Sequence, residues 1–399
     1  MFKAVHPRNM DGAMPQPDHT LPDSPQPRPT PSEPDTVHAT ERPEQRKRDR
    51  FPDLLRSVAL GAVILGHWTM GAVSIDGAGM MHVDNVLNIN RQLWPATWVL
   101  VLIPLFFFVG GFSNATSLDR ALERGMSAPQ WIGKRLRGLF VPVVPFVLLV
   151  VAVALLALRL GAPQVLTLTI AVVVLMPLWF VAVYAVLAAL TPLMLGLHRR
   201  FGVRVVVALV ILAFIADGLR TALDAPYIGW LNYVFVHGTM QQIGFFYRDG
   251  RLQKLKSRQL GLWAAGAFAL LCVLVATPVW AESMVGLSGE RSNMSPPSAP
   301  SLMHGLWLIP MAMLAYPWLS SRLDRPRVAH VLDVAATESM RAFLWHLPVM
   351  VIVLGVLWLV GVPFATPGTA VWWLLKPLYL TGFAVVLWGW LALTNRHRT

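Results

Sequence analysis

The chain has 399 residues, of which 55% are hydrophobic and only 14% charged, with a formal net charge of +12. Soluble domains carry about 25% charged residues, so a soluble enzyme, a nucleic-acid-binding domain and a disulfide scaffold are excluded. Apolar runs of helix-spanning length specify instead an all-α polytopic integral membrane protein.

Residues 1–48 hold ten of the 31 prolines and one aromatic residue, Phe2. Such a segment buries too little apolar area to offset its ordering entropy, so a disordered cytoplasmic tail is expected. It has no hydrophobic stretch before a small-residue cleavage site and does not read as a signal peptide. Five basic residues between Arg42 and Arg50 precede the first apolar run, a pattern that favours a cytoplasmic N-terminus.

The transmembrane domain is expected over 49–399, with ten crossings near 54–73, 97–115, 139–160, 164–197, 203–222, 228–247, 259–280, 302–320, 342–361 and 371–393. The fourth run is 34 residues long and is divided by Pro177. It is either two helices or one crossing with an added half-helix on the outer side. A single net crossing keeps the basic loops on one face, with both termini cytoplasmic and the protein in the inner (plasma) membrane. Cys272 lies inside the seventh run, so neither an internal disulfide nor a cysteine-based metal site is available.

Charged groups inside a bilayer are costly and usually functional. In the first span, Arg56 and His67 are eleven residues apart, which puts them on one helix face about 16 Å apart along the axis. Asp53 stands three residues before Arg56 and can pair with it. An arginine near the cytoplasmic end suits a phosphate, and a deeper histidine can accept a proton. A snorkelling arginine and a packing histidine fit the spacing equally well.

Further along are Pro104-Leu-Phe-Phe-Phe-Val-Gly-Gly-Phe112, then Trp131-Ile-Gly-Lys134-Arg135-Leu-Arg137 running on to Pro142, then Pro177-Leu-Trp179-Phe180 and Glu338-Ser-Met-Arg-Ala-Phe-Leu-Trp-His346. In this order, after Asp53, Arg56 and His67, they resemble the membrane-bound acyltransferase-3 family over residues 50 to about 394. The resemblance implies transfer of an acyl group, commonly acetyl, from cytoplasmic acyl-CoA to a hydroxyl of a carbohydrate or glycolipid. Asp53 would hold Arg56, and His67 would serve as general base or transient acyl carrier. Lys134, Arg135 and Arg137 would meet the CoA phosphates, with the lysine lacking the bidentate fork of an arginine.

His346 either lines the donor channel or makes a helix–helix hydrogen bond. Trp179 and Phe180 shape a substrate cavity or belong to an interfacial aromatic belt. His237 reads as structural. The loop over 281–301, with Glu282, Glu290 and Arg291, either meets the acceptor or simply connects two spans.

No permanently bound cofactor or metal is expected, and the partners are acyl-CoA, the acceptor and membrane lipids, with no nucleic acid. The sequence has no phosphate-binding loop, nucleophile elbow or zinc-protease motif. The alternative class is a secondary transporter or flippase using Arg56 and His67 as substrate and proton sites, against which stand the missing internal repeat and few intramembrane acids. A structural membrane scaffold is the third.

Overall fold

The computed structural model describes residues 49–77, 81–287, 289 and 291–395. The expected tail over 1–48, together with Glu290 and His397, lies outside the described residues. Helix α1 (Phe51–Met70) starts with a proline in its first turn and Asp53 against its N-terminal dipole. It runs into an antiparallel hairpin of β1 (Gly71–Ile75) and β2 (Met81–Asn85), with Ser74 opposite His82. Short helical turns over 86–100 lead into α2 (Ile103–Glu123) and then α3 (Ala128–Arg159).

The fourth expected span is two helices, α4 (Gln164–Leu175) and α5 (Leu178–Phe201), broken at Met176 and Pro177. Twelve residues of helix reach about 18 Å, short of a hydrocarbon core of about 30 Å. Helix α4 is therefore a half-helix, packed on α3 and against β2 of the hairpin. Then come α6 (Val203–Ala222), α7 (Asn232–Arg248), α8 (Ser257–Val275), α9 (Ala299–Leu323), α10 (Pro326–Leu359) and α11 (Ala370–Asn395).

The protein is a multi-pass membrane protein. Among the described residues, eight helical stretches are long and apolar enough to cross a bilayer, with α4 and α5 counted as one. Helices α1 and α7, expected as the first and sixth spans, fall below that standard. Twelve of the 17 residues of α7 are buried, including Asn232, His237, Thr239, Gln241 and Gln242. Polar side chains are tolerated there because they face protein rather than lipid.

Helices α7 and α2 approach each other backbone to backbone. A Cβ placed on Gly111 would collide with the backbone of Gln241, and one on Gly244 with that of Phe108. At the end where α1 begins, ion pairs tie the helices together. Arg50 meets Asp333 at 2.9 Å, and Asp119 receives Arg199 at 2.7 Å and Arg248 at 2.6 Å.

Helices α3 and α10 begin well before the apolar runs that mark their spans. Ser127 and Gln130 form a reciprocal capping box that starts α3 at Ala128. That extension carries Lys134, Arg135 and Arg137.

Candidate functional site

Helix periodicity puts Asp53, Arg56, Leu60 and His67 on one stripe of α1. Along this stripe lie two cavities. The first, about 430 Å³, gathers Arg56, Arg124, Lys134 and Arg135 with Ser113, Ser117, Tyr184 and Ser339. The second, about 150 Å³, contains His67 and is otherwise mostly apolar. They share four lining residues from four helices: Leu60, Phe106, Phe180 and Phe343. The Phe180 ring lies between the other two, with centroids 4.6 Å from Phe106 and 5.8 Å from Phe343. These side chains form an apolar partition between a basic chamber and a histidine chamber.

In the basic chamber Arg56 approaches Asp53 at 3.5 Å. Its Nε–H is buried without a protein partner among the described residues. Arg135 is held more firmly. Its Nε donates to Asn114 Oδ1 at 3.1 Å, its Nη2 donates to the Tyr184 hydroxyl at 2.7 Å, and that hydroxyl donates to the same Asn114 oxygen at 3.1 Å. A guanidinium fixed on two sides this way keeps Nη1 for an anion in the chamber.

Arg137 is exposed and lines neither cavity. Two residues beyond Arg135, it is rotated about 200° around α3 and projects from the opposite face. Arg124 takes its place in the chamber. The signal for it was at the end of α2, where Ser113, Ser117 and, one residue past the helix, Arg124 follow one another at helical spacing.

His67 Nδ1 lies 2.8 Å from His346 Nε2, and His346 Nδ1 lies 2.5 Å from the carbonyl oxygen of Phe343. The carbonyl only accepts, so His346 carries its proton on Nδ1 and presents a lone pair at Nε2. His67 then donates through Nδ1–H and keeps the Nε2 lone pair for the cavity that it lines. Trp68 fixes the pair further by donating to the His346 carbonyl at 2.8 Å. His346, expected among the CoA-binding groups, is instead buried behind His67 and lines neither cavity. One helical turn from Phe343, its ring points into the α1–α10 contact rather than the basic chamber.

Trp179 and Phe180 both line the histidine chamber, so they are cavity residues rather than belt residues. His237 is buried against Phe107, with ring centroids 4.2 Å apart, and lies outside both cavities. The loop over 281–301 supplies Val285 and Met294 to the histidine chamber. It is held there by Trp98, which donates to the Glu282 carbonyl at 2.6 Å, and by Met284 N, which donates to Thr97 Oγ1 at 2.9 Å.

Two buried charges escaped the sequence reasoning. Lys376 on α11 donates to the Gly71 carbonyl at 2.7 Å and lies over the Trp372 ring, closing the end of α1 beyond His67. Asp217 on α6 accepts from Trp280 Nε1 at 2.7 Å and from Ala299 N at 2.9 Å, and pairs with Arg220 at 2.7 Å.

The chain matches the acyltransferase-3 family model, described as an acyltransferase domain, over residues 49–395. No curated protein and no solved structure matches the chain.

Proposed function

Because the chain belongs to the acyltransferase-3 family, we propose that this membrane acyltransferase takes an acyl group, acetyl above all, from acyl-CoA and places it on a hydroxyl of a carbohydrate or glycosylated lipid. Family membership favours this reading over a transporter or flippase. The observation that carries it is the pair of chambers meeting at Leu60, Phe106, Phe180 and Phe343. One is built for an anion and the other for taking a proton.

The donor's phosphates would lie against Arg56, Arg124, Lys134 and Arg135, with the thioester directed at the partition. The acceptor hydroxyl would give its proton to His67 Nε2 as its oxygen attacks the acyl carbonyl carbon. The carbon–sulfur bond then breaks, the ester forms, and His67 returns the proton to the thiolate to give CoA–SH. While His67 is protonated, its Nδ1–H continues to donate to His346, whose own Nδ1–H remains on the Phe343 carbonyl. This fixes the ring so that the same nitrogen faces the reaction throughout. The basic chamber faces the cytoplasm of a plasma-membrane protein in this scheme, where acyl-CoA is made.

The test is release of free CoA from acetyl-CoA by the purified protein in the presence of an envelope glycolipid extract, beside His67→Ala and Arg56→Ala. Turnover in the parent that is lost in both folded variants is expected. A folded parent that neither releases CoA nor binds acetyl-CoA overturns the proposal.

A further inference from the structure

The two chambers belong to one bundle, yet their walls differ. The basic chamber has four cationic side chains, three serines and a tyrosine. The histidine chamber has no charged side chain besides His67 if that ring takes a proton, and its other polar groups are few. Thr97 is already committed, donating to the Trp94 carbonyl at 2.6 Å and accepting from Met284 N at 2.9 Å. That leaves His67, Thr69 and the indoles of Trp179 and Trp373 to hydrogen-bond a guest.

A sugar ring seated there would bring several hydroxyls, each a donor and a double acceptor. Burying them against Leu, Val, Met and Phe without partners is unfavourable. A molecule with one hydroxyl on a hydrocarbon skeleton meets no such cost. Its hydroxyl has His67 Nε2 to donate to, and its skeleton has apolar walls. The chamber also reaches the outside of the bundle at Leu100, which lines it and is 42% exposed beside Val99 at 65% exposed. In a membrane protein such apolar exposure meets lipid tails, so an apolar guest has a route in from the bilayer.

We propose that the acceptor is a hydroxylated lipid, whose reacting hydroxyl sits on the apolar skeleton and enters the histidine chamber from the bilayer. This rests on the acyltransferase reading and puts a hydroxyl on an apolar skeleton in the place of the carbohydrate hydroxyl as acceptor. The acyl–sulfur bond of the donor breaks, the ester forms on the lipid oxygen, and the hydroxyl proton passes through His67 to the CoA sulfur.

The protein is assayed with acetyl-CoA in lauryldimethylamine oxide, a detergent with no alcohol group, with decanol, methyl glucoside or octyl glucoside as acceptor. Decyl acetate formed faster than either glucoside ester is expected. Ala62→Phe, which fills part of the chamber, is expected to lower decyl acetate formation about tenfold.

Equal or faster acetylation of a glucoside overturns the lipid acceptor while sustaining an acyltransferase. Absence of decyl acetate from a preparation that binds acetyl-CoA also overturns the lipid acceptor. Unchanged decyl acetate formation in folded Ala62→Phe removes the chamber from the proposal and overturns it. Failure to bind acetyl-CoA at all defeats the acyltransferase reading itself, and the lipid acceptor with it.

Discussion

The imidazoles of His67 and His346 lie almost parallel, 11° apart in plane, and share a hydrogen bond of 2.8 Å between α1 and α10. The second ring sets the tautomer of the first and needs no contact with substrate to do so. Loss of His67 removes the base, whereas loss of His346 removes only its orientation.

His67→Ala should lower kcat by about 10²–10⁴-fold, the usual contribution of a general base, with acetyl-CoA affinity retained. His346→Ala should cost less, about 10–100-fold in kcat, as supporting partners of a working histidine typically do. His346→Gln supplies a carbonyl oxygen to accept from His67 Nδ1–H and should recover part of that loss. Steady-state kinetics on variants with the parental thermal midpoint separate these outcomes, and equal activity for the Ala and Gln variants would contradict the tautomer argument.

Arg135 offers a second test, because two neighbours fix its fork. Arg135→Lys keeps the charge but loses both contacts, and should raise the Kd for acyl-CoA about tenfold, the lower end for a lost charged hydrogen bond. Arg137→Ala, on the opposite face of α3, should leave it within about twofold, as exposed charges far from a ligand are largely screened. Isothermal titration with acetyl-CoA in detergent reads both.

The α2–α7 contact predicts an asymmetry between glycines. Gly111→Ala and Gly244→Ala force two backbones apart and should destabilise by about 1–3 kcal/mol or more. Gly133→Ala, on an exposed part of α3 with nothing within 4 Å of the added methyl, should be neutral or stabilise by up to about 1 kcal/mol. Thermal unfolding midpoints in detergent should fall for the first two and not for the third.

Asp217 makes the fourth prediction. With the carboxylate 1% and Arg220 12% exposed, Asp217→Ala leaves a guanidinium buried without its counter-charge. Breaking such a pair costs about 3–5 kcal/mol. Asp217→Asn, which can still accept from Trp280, should fall between the alanine variant and the parent. The loop over 281–301 starts its return into α9 at Ala299, so faster proteolysis of that loop should accompany the loss.

Much of this was legible in the sequence, because it follows from helical phase within one segment. Asp53, Arg56 and His67 declare a shared face by spacing alone, and Pro177 marks the break between α4 and α5. Phase also sets Arg137 apart from Arg135, because one helix turns neighbouring members of a basic cluster to different sides. What the sequence could not give was pairing between segments. His346 is 279 residues from His67, and nothing local distinguishes a ring lining a channel from one bonded to another helix. Lys376 and Asp217 were overlooked for the same reason, since each is a single charge whose partner is supplied by a distant backbone or loop. The hairpin after α1 did carry a signal, Asp76-Gly77 between two short β-prone runs, but its first strand continues the apolar run of α1 without a break in hydropathy.

The partition of Leu60, Phe106, Phe180 and Phe343 bears on the cell's energetics as well as on chemistry. An enzyme open to both sides of a bilayer risks short-circuiting the voltage across it, which is worth about 2.3 kcal/mol per elementary charge at 100 mV. A constriction walled only by hydrocarbon and benzene rings sheds water and so resists ions and protons, as hydrophobic gates of channels do. His67 and Arg56 thus face each other across four side chains that never ionise, which the acyl end of the donor would have to part to reach the histidine.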